Sequence, residues 1–140
     1  MNLAYIAGPF RAKTLEGIIG NVRRALVCSE LVNVAGKGDW FAHCPHVATY
    51  DLWQLMLEAG RAPLEQFWLD GDLLILKHAQ LIVLTPGWFE STGSKTELNF
   101  AFDHGIEQLE LYPETQLDSL SLKLKEIANA IHYKRRASSS

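Results

Sequence analysis

The sequence predicts a three-layer α/β sandwich around a parallel sheet of four to five strands, on three observations. Short apolar runs alternate with longer stretches of helical period along the chain, and most of the runs end on glycine or proline. The clearest run, Leu81-Ile82-Val83-Leu84, is apolar at every position, as a strand covered on both faces must be. Strand and helix in this succession imply right-handed crossovers and helices on both sheet faces, in the Rossmann-like or flavodoxin-like manner.

The first strand is read at Leu3 to Ala7, and Gly8-Pro9 closes it because proline brings no N–H to a ladder. A long helix follows from about Leu15 to Val34, where Ile18, Val22, Ala25, Leu26, Leu31 and Val32 recur mostly at three- and four-residue intervals. Gly36 and Gly38 end it. Trp40 to Cys44 makes a second strand, and Pro45-His46 opens a loop before an apolar helical stretch around Leu52 to Leu57. After the breaker Gly60 to Pro63, Pro63 suits the first turn of a helix running through Phe67, Leu69, Leu73 and Leu76 to about Lys77. Leu81 to Leu84 is the third strand, closed by Thr85-Pro86-Gly87. A helix from about Ser94 to His104 stops at Gly105, Leu109 to Tyr112 reads as a fourth strand, and the last helix spans about Leu117 to Ile131.

No repeat, linker or low-complexity stretch divides residues 1–133, which are expected to form one domain; the basic and serine-rich residues 134–140 are expected to be a solvated, disordered tail. At 140 residues, 48% of them hydrophobic and 21% charged, the chain can bury a core without disulfides or metal. A net charge of −3 argues against a nucleic-acid polymer as partner, and no apolar run near the start is long enough to span a membrane. Cys28 and Cys44 form no CxxC pair and follow no secretory pattern, so a reducing cytoplasm is the expected setting. His43, Cys44 and His46 are too cramped for a tetrahedral site, and neither metal nor cofactor is expected.

In this fold class ligands bind beyond the carboxyl ends of the strands, here the loops Gly8 to Arg11, Cys44 to His46 and Pro86 to Ser94. Gly8-Pro9-Phe10-Arg11 can offer N–H groups and an arginine to a phosphate and a ring to a base, although alone it fits a strand-ending turn as well. The segment from Gly87 to Glu97 joins a strand to a helix through hydroxyl residues, and Ser91, Ser94 and Thr96 supplement the free N–H groups of a helix start. Read on its own, the same segment fits a capping box, with Ser94 as cap and Glu97 three residues on. Asp72 follows Asp70-Gly71 inside an otherwise apolar helix, and such locally unfavourable positions tend to be functional. Tyr5, in a buried strand, needs a partner for its hydroxyl, which a carboxylate beyond the strand end could supply. Trp88 flanks the hydroxyl-rich loop and is read as a wall for a base.

In order and spacing, Tyr5-Ile6-Ala7-Gly8-Pro9-Phe10-Arg11, Asp72 ahead of Leu81 to Leu84, and Gly87-Trp88 through Ser91-x-Gly93-x-x-x-Glu97 resemble the nucleoside 2-deoxyribosyltransferase superfamily over about residues 3–112. The pattern is most similar to the deoxynucleoside 5′-monophosphate N-glycosidases and their small relatives. The resemblance implies that Glu97 is a nucleophile, that Tyr5 orients it and that Asp72 works near the leaving base. Together with the strand-end loops it gives an expected substrate pocket of Gly8, Pro9, Phe10, Arg11, His46, Trp88, Ser91, Gly93 and Ser94. Ser91 stands where the transferases carry an aspartate and the monophosphate hydrolases a serine, so with Arg11 it favours a 5′-phosphate; Phe10 departs from the hydrolase pattern. The expected activity is hydrolysis of the N-glycosidic bond of a (deoxy)nucleoside 5′-monophosphate. Base exchange by a transferase and a non-catalytic nucleotide-binding module are the alternatives. The resemblance also implies a homo-oligomer, dimer or tetramer, in which a neighbouring subunit closes the pocket.

Overall fold

A computed structural model describes residues 1–139. Its strands are β1 (Asn2–Ala7), β2 (Trp40–His43), β3 (Leu81–Leu84) and β4 (Glu107–Glu110). Its helices are α1 (Leu15–Ala35), α2 (Pro45–Glu58), α3 (Glu65–Leu76), α4 (Thr92–Asp103) and α5 (Leu117–Ser139). All strand pairs are parallel, in the order β2-β1-β3-β4, with Tyr5 in register with both His43 and Ile82. The fold is the three-layer α/β sandwich the sequence predicts, with four strands.

Alternation along β1 divides the core between the two sheet faces. Ala4 and Ile6 join Leu81, Val83 and the buried faces of α1 and α5, whereas Tyr5 and Ala7 join Ile82, Leu84, Leu76 and Ala101 beneath α3 and α4. Each fully buried branched side chain, such as Ile6 or Ile82, contributes about 1.5–3 kcal/mol. On α1 the buried stripe is Asn21, Ala25, Cys28, Ser29, Val32 and Ala35. These small side chains let the helix lie close to the sheet, and Leu26, expected on that face, is left exposed one position round the helix.

Several boundaries differ from the sequence expectation. Residue Pro45 begins α2 rather than a loop, because at the first helical position its missing N–H has no acceptor to lose. Helix α3 starts at Glu65, since Leu64 is extended, and α4 starts at Thr92, capped by Ser91. Strand β4 lies two residues before Leu109–Tyr112, because only Leu109 among its four residues is buried and edge pairing rather than apolar content defines it. The expected disordered tail is helical through Ser139: no glycine or proline interrupts it, Lys134 Nζ lies 3.2 Å from Glu107, and the Ser138 and Ser139 hydroxyls donate to the Arg135 and Arg136 carbonyls. Ser140 lies outside the described residues.

Two features bear on function. From β1 the chain crosses to β2 and then returns past β1 to β3, so the carboxyl ends of β1 and β3 flank the crevice where the strand order reverses. Helices α2 and α3 each bury a single residue fully, Pro45 and Leu76, and leave Leu52, Leu55, Leu57, Phe67 and Leu74 exposed. Among the described residues no helix is long and apolar enough to cross a membrane.

Candidate active site

Beyond β1 the chain is pinned tightly. A Cβ on Gly8 would fall 2.1 Å from Thr85 Oγ1 at the end of β3, so only glycine allows the two strand ends to approach this closely. The Gly8 carbonyl accepts a 2.6 Å bond from His46 Nε2, which fixes the proton on that nitrogen. Burial holds the His46 imidazole below its ordinary pKa, in keeping with a neutral ring. The following loop is held by Asn21, whose side-chain amide donates to the Phe10 and Arg11 carbonyls at 3.1 and 3.2 Å.

These residues form one wall of a cavity of about 1040 Å³ at the crevice between β1 and β3. The opposite wall is α3, whose residues Glu65, Trp68, Leu69 and Asp72 follow the i, i+3, i+4, i+7 stripe of one helical face. The start of α4, Ser91 to Ser94, and Glu97 complete it.

Glu97 is 4% exposed and accepts a hydrogen bond on Oε2 from the Tyr5 hydroxyl. Burial pushes the Glu97 carboxyl up to about 8; nearby Asp72 adds to the rise and the Tyr5 bond opposes it. Burial likewise pushes Asp72 up to about 7. Tyr5 is raised by its own burial and then by the negative charge of Glu97, so it remains a donor at any ordinary pH. Two acids near neutrality beside a fixed donor can share nucleophilic and proton-transfer work.

The capping-box expectation is overturned. Ser91 is the cap, its Oγ accepting from Ser94 N at 3.1 Å, and Glu97 lies in the second turn, free of any capping bond and facing the cavity. With its lone pair so engaged, the Ser91 hydroxyl still has a proton to donate to a ligand. Beside it the N–H groups of Thr92 and Gly93, first in the helix, have no intrahelical acceptor, which makes the helix start attractive to an anion.

Of the residues singled out in the sequence, Gly8, Pro9, Phe10, Arg11, His46, Asp72, Ser91, Gly93, Ser94 and Glu97 line this one cavity. Tyr5 lies beneath it, joined through Glu97. Arg11 is at the rim, where its Nε is 3.2 Å from Glu65 Oε1 and both side chains are about two-thirds exposed. Trp88 does not line the cavity: it packs against the lower core and its indole N–H donates to Glu110 Oε1 at 2.9 Å. The aromatic walls are instead Phe10, Trp53 and Trp68, with the Phe10 ring edge-on to His46 and Trp53 at 5.4 and 5.3 Å.

Sequence reasoning missed Asn21, Arg24, Trp53 and Trp68. The signal for Trp68 was its place four residues before Asp72, on the same helical face. For Asn21 it was a polar side chain on the buried stripe of α1. His43, Cys44 and His46 do not converge: the Cys44 thiol belongs to the opposite core and burial raises it to about 11. Among the described residues no three His, Cys, Asp or Glu side chains are gathered for a metal ion.

No protein-family model, curated protein or solved structure matches the chain. The fold it shares with known proteins is a generic one. A parallel four-stranded α/β sandwich is common to many superfamilies and by itself assigns no function.

Proposed function

We propose that this protein is an N-glycosidase that hydrolyses a (deoxy)nucleoside 5′-monophosphate, with Glu97 as nucleophile. One observation carries the reading: a buried carboxyl, held by a tyrosine from the neighbouring strand and near a second raised carboxyl, faces a large cavity at the strand-order reversal.

In its ionised form Glu97 attacks C1′ of the sugar while the C1′–N bond breaks and its electron pair leaves with the base. Protonated Asp72 gives the base its proton. In the free site burial raises Glu97 above Asp72, so the reactive form with Glu97 ionised and Asp72 protonated is the minor one; the positive charge that builds on the sugar favours it, and the Tyr5 hydroxyl keeps the carboxylate in place. Water then adds to C1′, its proton passes to the Asp72 carboxylate, and the C1′–O bond to Glu97 breaks to restore both acids. The start of α4 supplies Ser91 Oγ–H and backbone N–H groups for the phosphate, Arg11 and Arg24 stand on the cavity wall, and Phe10, Trp53 and Trp68 offer faces and edges to the base.

The exposed apolar side chains Leu52, Leu55, Phe67 and Leu74 support assembly with a second copy, as a dimer or tetramer. Two free, buried thiols suit a reducing cytoplasm. The experiment is incubation with ribo- and deoxyribonucleoside monophosphates and their nucleosides. Free base supports hydrolysis, an added base recovered on the sugar indicates transfer, and tight binding without free base over hours indicates a binding module.

A further inference from the structure

Among the described residues two buried polar side-chain atoms have no hydrogen-bond partner, His43 Nε2 and Ser94 Oγ. Of the two residues, Ser94 lines the cavity, and it is 1% exposed. Its lack of a partner is unusual even for a helix. Two residues on, Thr96 satisfies its hydroxyl on the Thr92 carbonyl at 3.1 Å, the ordinary recourse for such a side chain. Because the Ser94 hydroxyl makes no bond, turning about χ1 toward a ligand breaks none.

The position of Ser94 says which part of a ligand it would meet. It follows the anion-attracting N–H groups of Thr92 and Gly93 and precedes Glu97 by three residues, about 4.5 Å of helical rise, on the same face. A pentose with its 5′-phosphate on the helix start and its anomeric carbon at Glu97 therefore passes over Ser94. Stereochemistry sharpens this. In a β-nucleoside the base occupies one face of the sugar, and a displacing carboxylate must approach C1′ from the other. The 2′-hydroxyl of ribose projects from that same other face, on the carbon next to C1′.

We propose that Ser94 reads the 2′-hydroxyl, so that the substrate is a ribonucleoside 5′-monophosphate rather than its 2′-deoxy counterpart; this rests on the glycosidase reading for its orientation. A sugar lacking the hydroxyl leaves the buried Ser94 unpaired, which is the condition under which a site discriminates strongly.

The test compares kcat/KM for matched ribo- and 2′-deoxyribonucleoside monophosphates, and the affinity of ribose 5-phosphate and 2-deoxyribose 5-phosphate by calorimetry, in wild type and Ser94→Ala. We expect at least a tenfold preference for the ribo form in wild type and its collapse in Ser94→Ala, through loss on the ribo substrate alone. A wild type that cleaves both forms equally, or prefers the deoxy form, overturns the proposal and leaves the glycosidase reading standing. A preference that survives Ser94→Ala also overturns it. If neither nucleotide releases base but ribose 5-phosphate binds more tightly in a Ser94-dependent way, the glycosidase reading fails and the sugar-reading role of Ser94 holds.

Discussion

The Tyr5 hydroxyl donates to Glu97 across 92 residues of sequence, joining the first strand to the helix after the third. Neither side chain needs the other for packing alone: Tyr5 fills the lower core, and Glu97 would be more cheaply solvated than buried. A carboxyl kept 4% exposed with one tyrosine hydroxyl bonded to it is a costly arrangement, and it lines the cavity.

Replacing Tyr5 by Phe removes that donor and little volume. Since the Tyr5 bond lowers the Glu97 pKa, its loss raises the carboxyl further above about 8, and the limb of the pH–rate profile that reports an ionised Glu97 moves to higher pH. About a 10–100-fold fall in kcat at neutral pH is expected, as for loss of one hydrogen bond to a charged group. An unshifted profile with full activity would remove Tyr5 from the proposed mechanism.

Substituting Glu97→Gln should abolish base release while the far-ultraviolet spectrum stays unchanged. It should also change the pH dependence of stability. Both Glu97 and Asp72 have folded-state pKa values above their ordinary ones, so between about pH 4 and pH 8 these two groups hold more protons in the folded chain than in the unfolded one, whereas His43 and His46, lowered by burial, act in the opposite sense. The contribution of the two carboxyls is therefore greatest at the acid end of that window and is lost as pH rises through it. Denaturant midpoints measured from pH 4.5 to 8.5 should show wild type losing stability relative to Glu97→Gln as pH rises, and a difference between the two that does not change with pH would refute a raised Glu97.

At the rim, Glu65 pairs with Arg11, the residue that the proposed function gives to a substrate phosphate. Glu65→Gln is expected to lower KM for nucleotides up to about fivefold, the range of an exposed ion pair, and to leave KM for nucleosides unchanged. Arg11→Ala and Ser91→Ala should do the reverse, raising KM for nucleotides more than for nucleosides. Equal effects on both substrate types would dissociate these residues from phosphate recognition.

The unburied sides of α2 and α3 give a prediction about assembly. Leu55 and Phe67 are 64% and 60% exposed, so charging them costs the isolated fold little. The double substitution Leu55→Lys, Phe67→Lys should shift the sedimentation coefficient to that of a monomer at unchanged helix content. A wild-type protein that already sediments as a monomer would refute assembly through this surface.

The sequence was legible where burial on both faces leaves no choice of residue. Strands β1 and β3 could be read directly, because a strand covered on both faces is mostly apolar; Gly8 was read as the end of its strand, and its close approach to Thr85 is seen only in the fold. Edge strand β4 has one buried residue in four, so nothing in its composition marked where pairing begins. The cap of α4 was misassigned because Ser91 and Ser94 are chemically equal candidates, and the difference lies in the extended backbone at Ser91. Placing Trp88 in the cavity failed for a related reason: the loop it flanks turns through a left-handed Gly87, and the indole ends against Glu110. The gathering of Tyr5, Asp72 and Glu97 about one crevice came from resemblance, since no local pattern joins residues so far apart.

The return of the chain past β1 to β3 has a consequence for how the molecule matures. Tyr5 and Glu97 can meet only after these two strands, separated by a long excursion of helices, have zipped together, and such distant pairings form late. During refolding, helical signal should therefore recover ahead of any capacity to release base, and the appearance of turnover should time the closing of the sheet's centre.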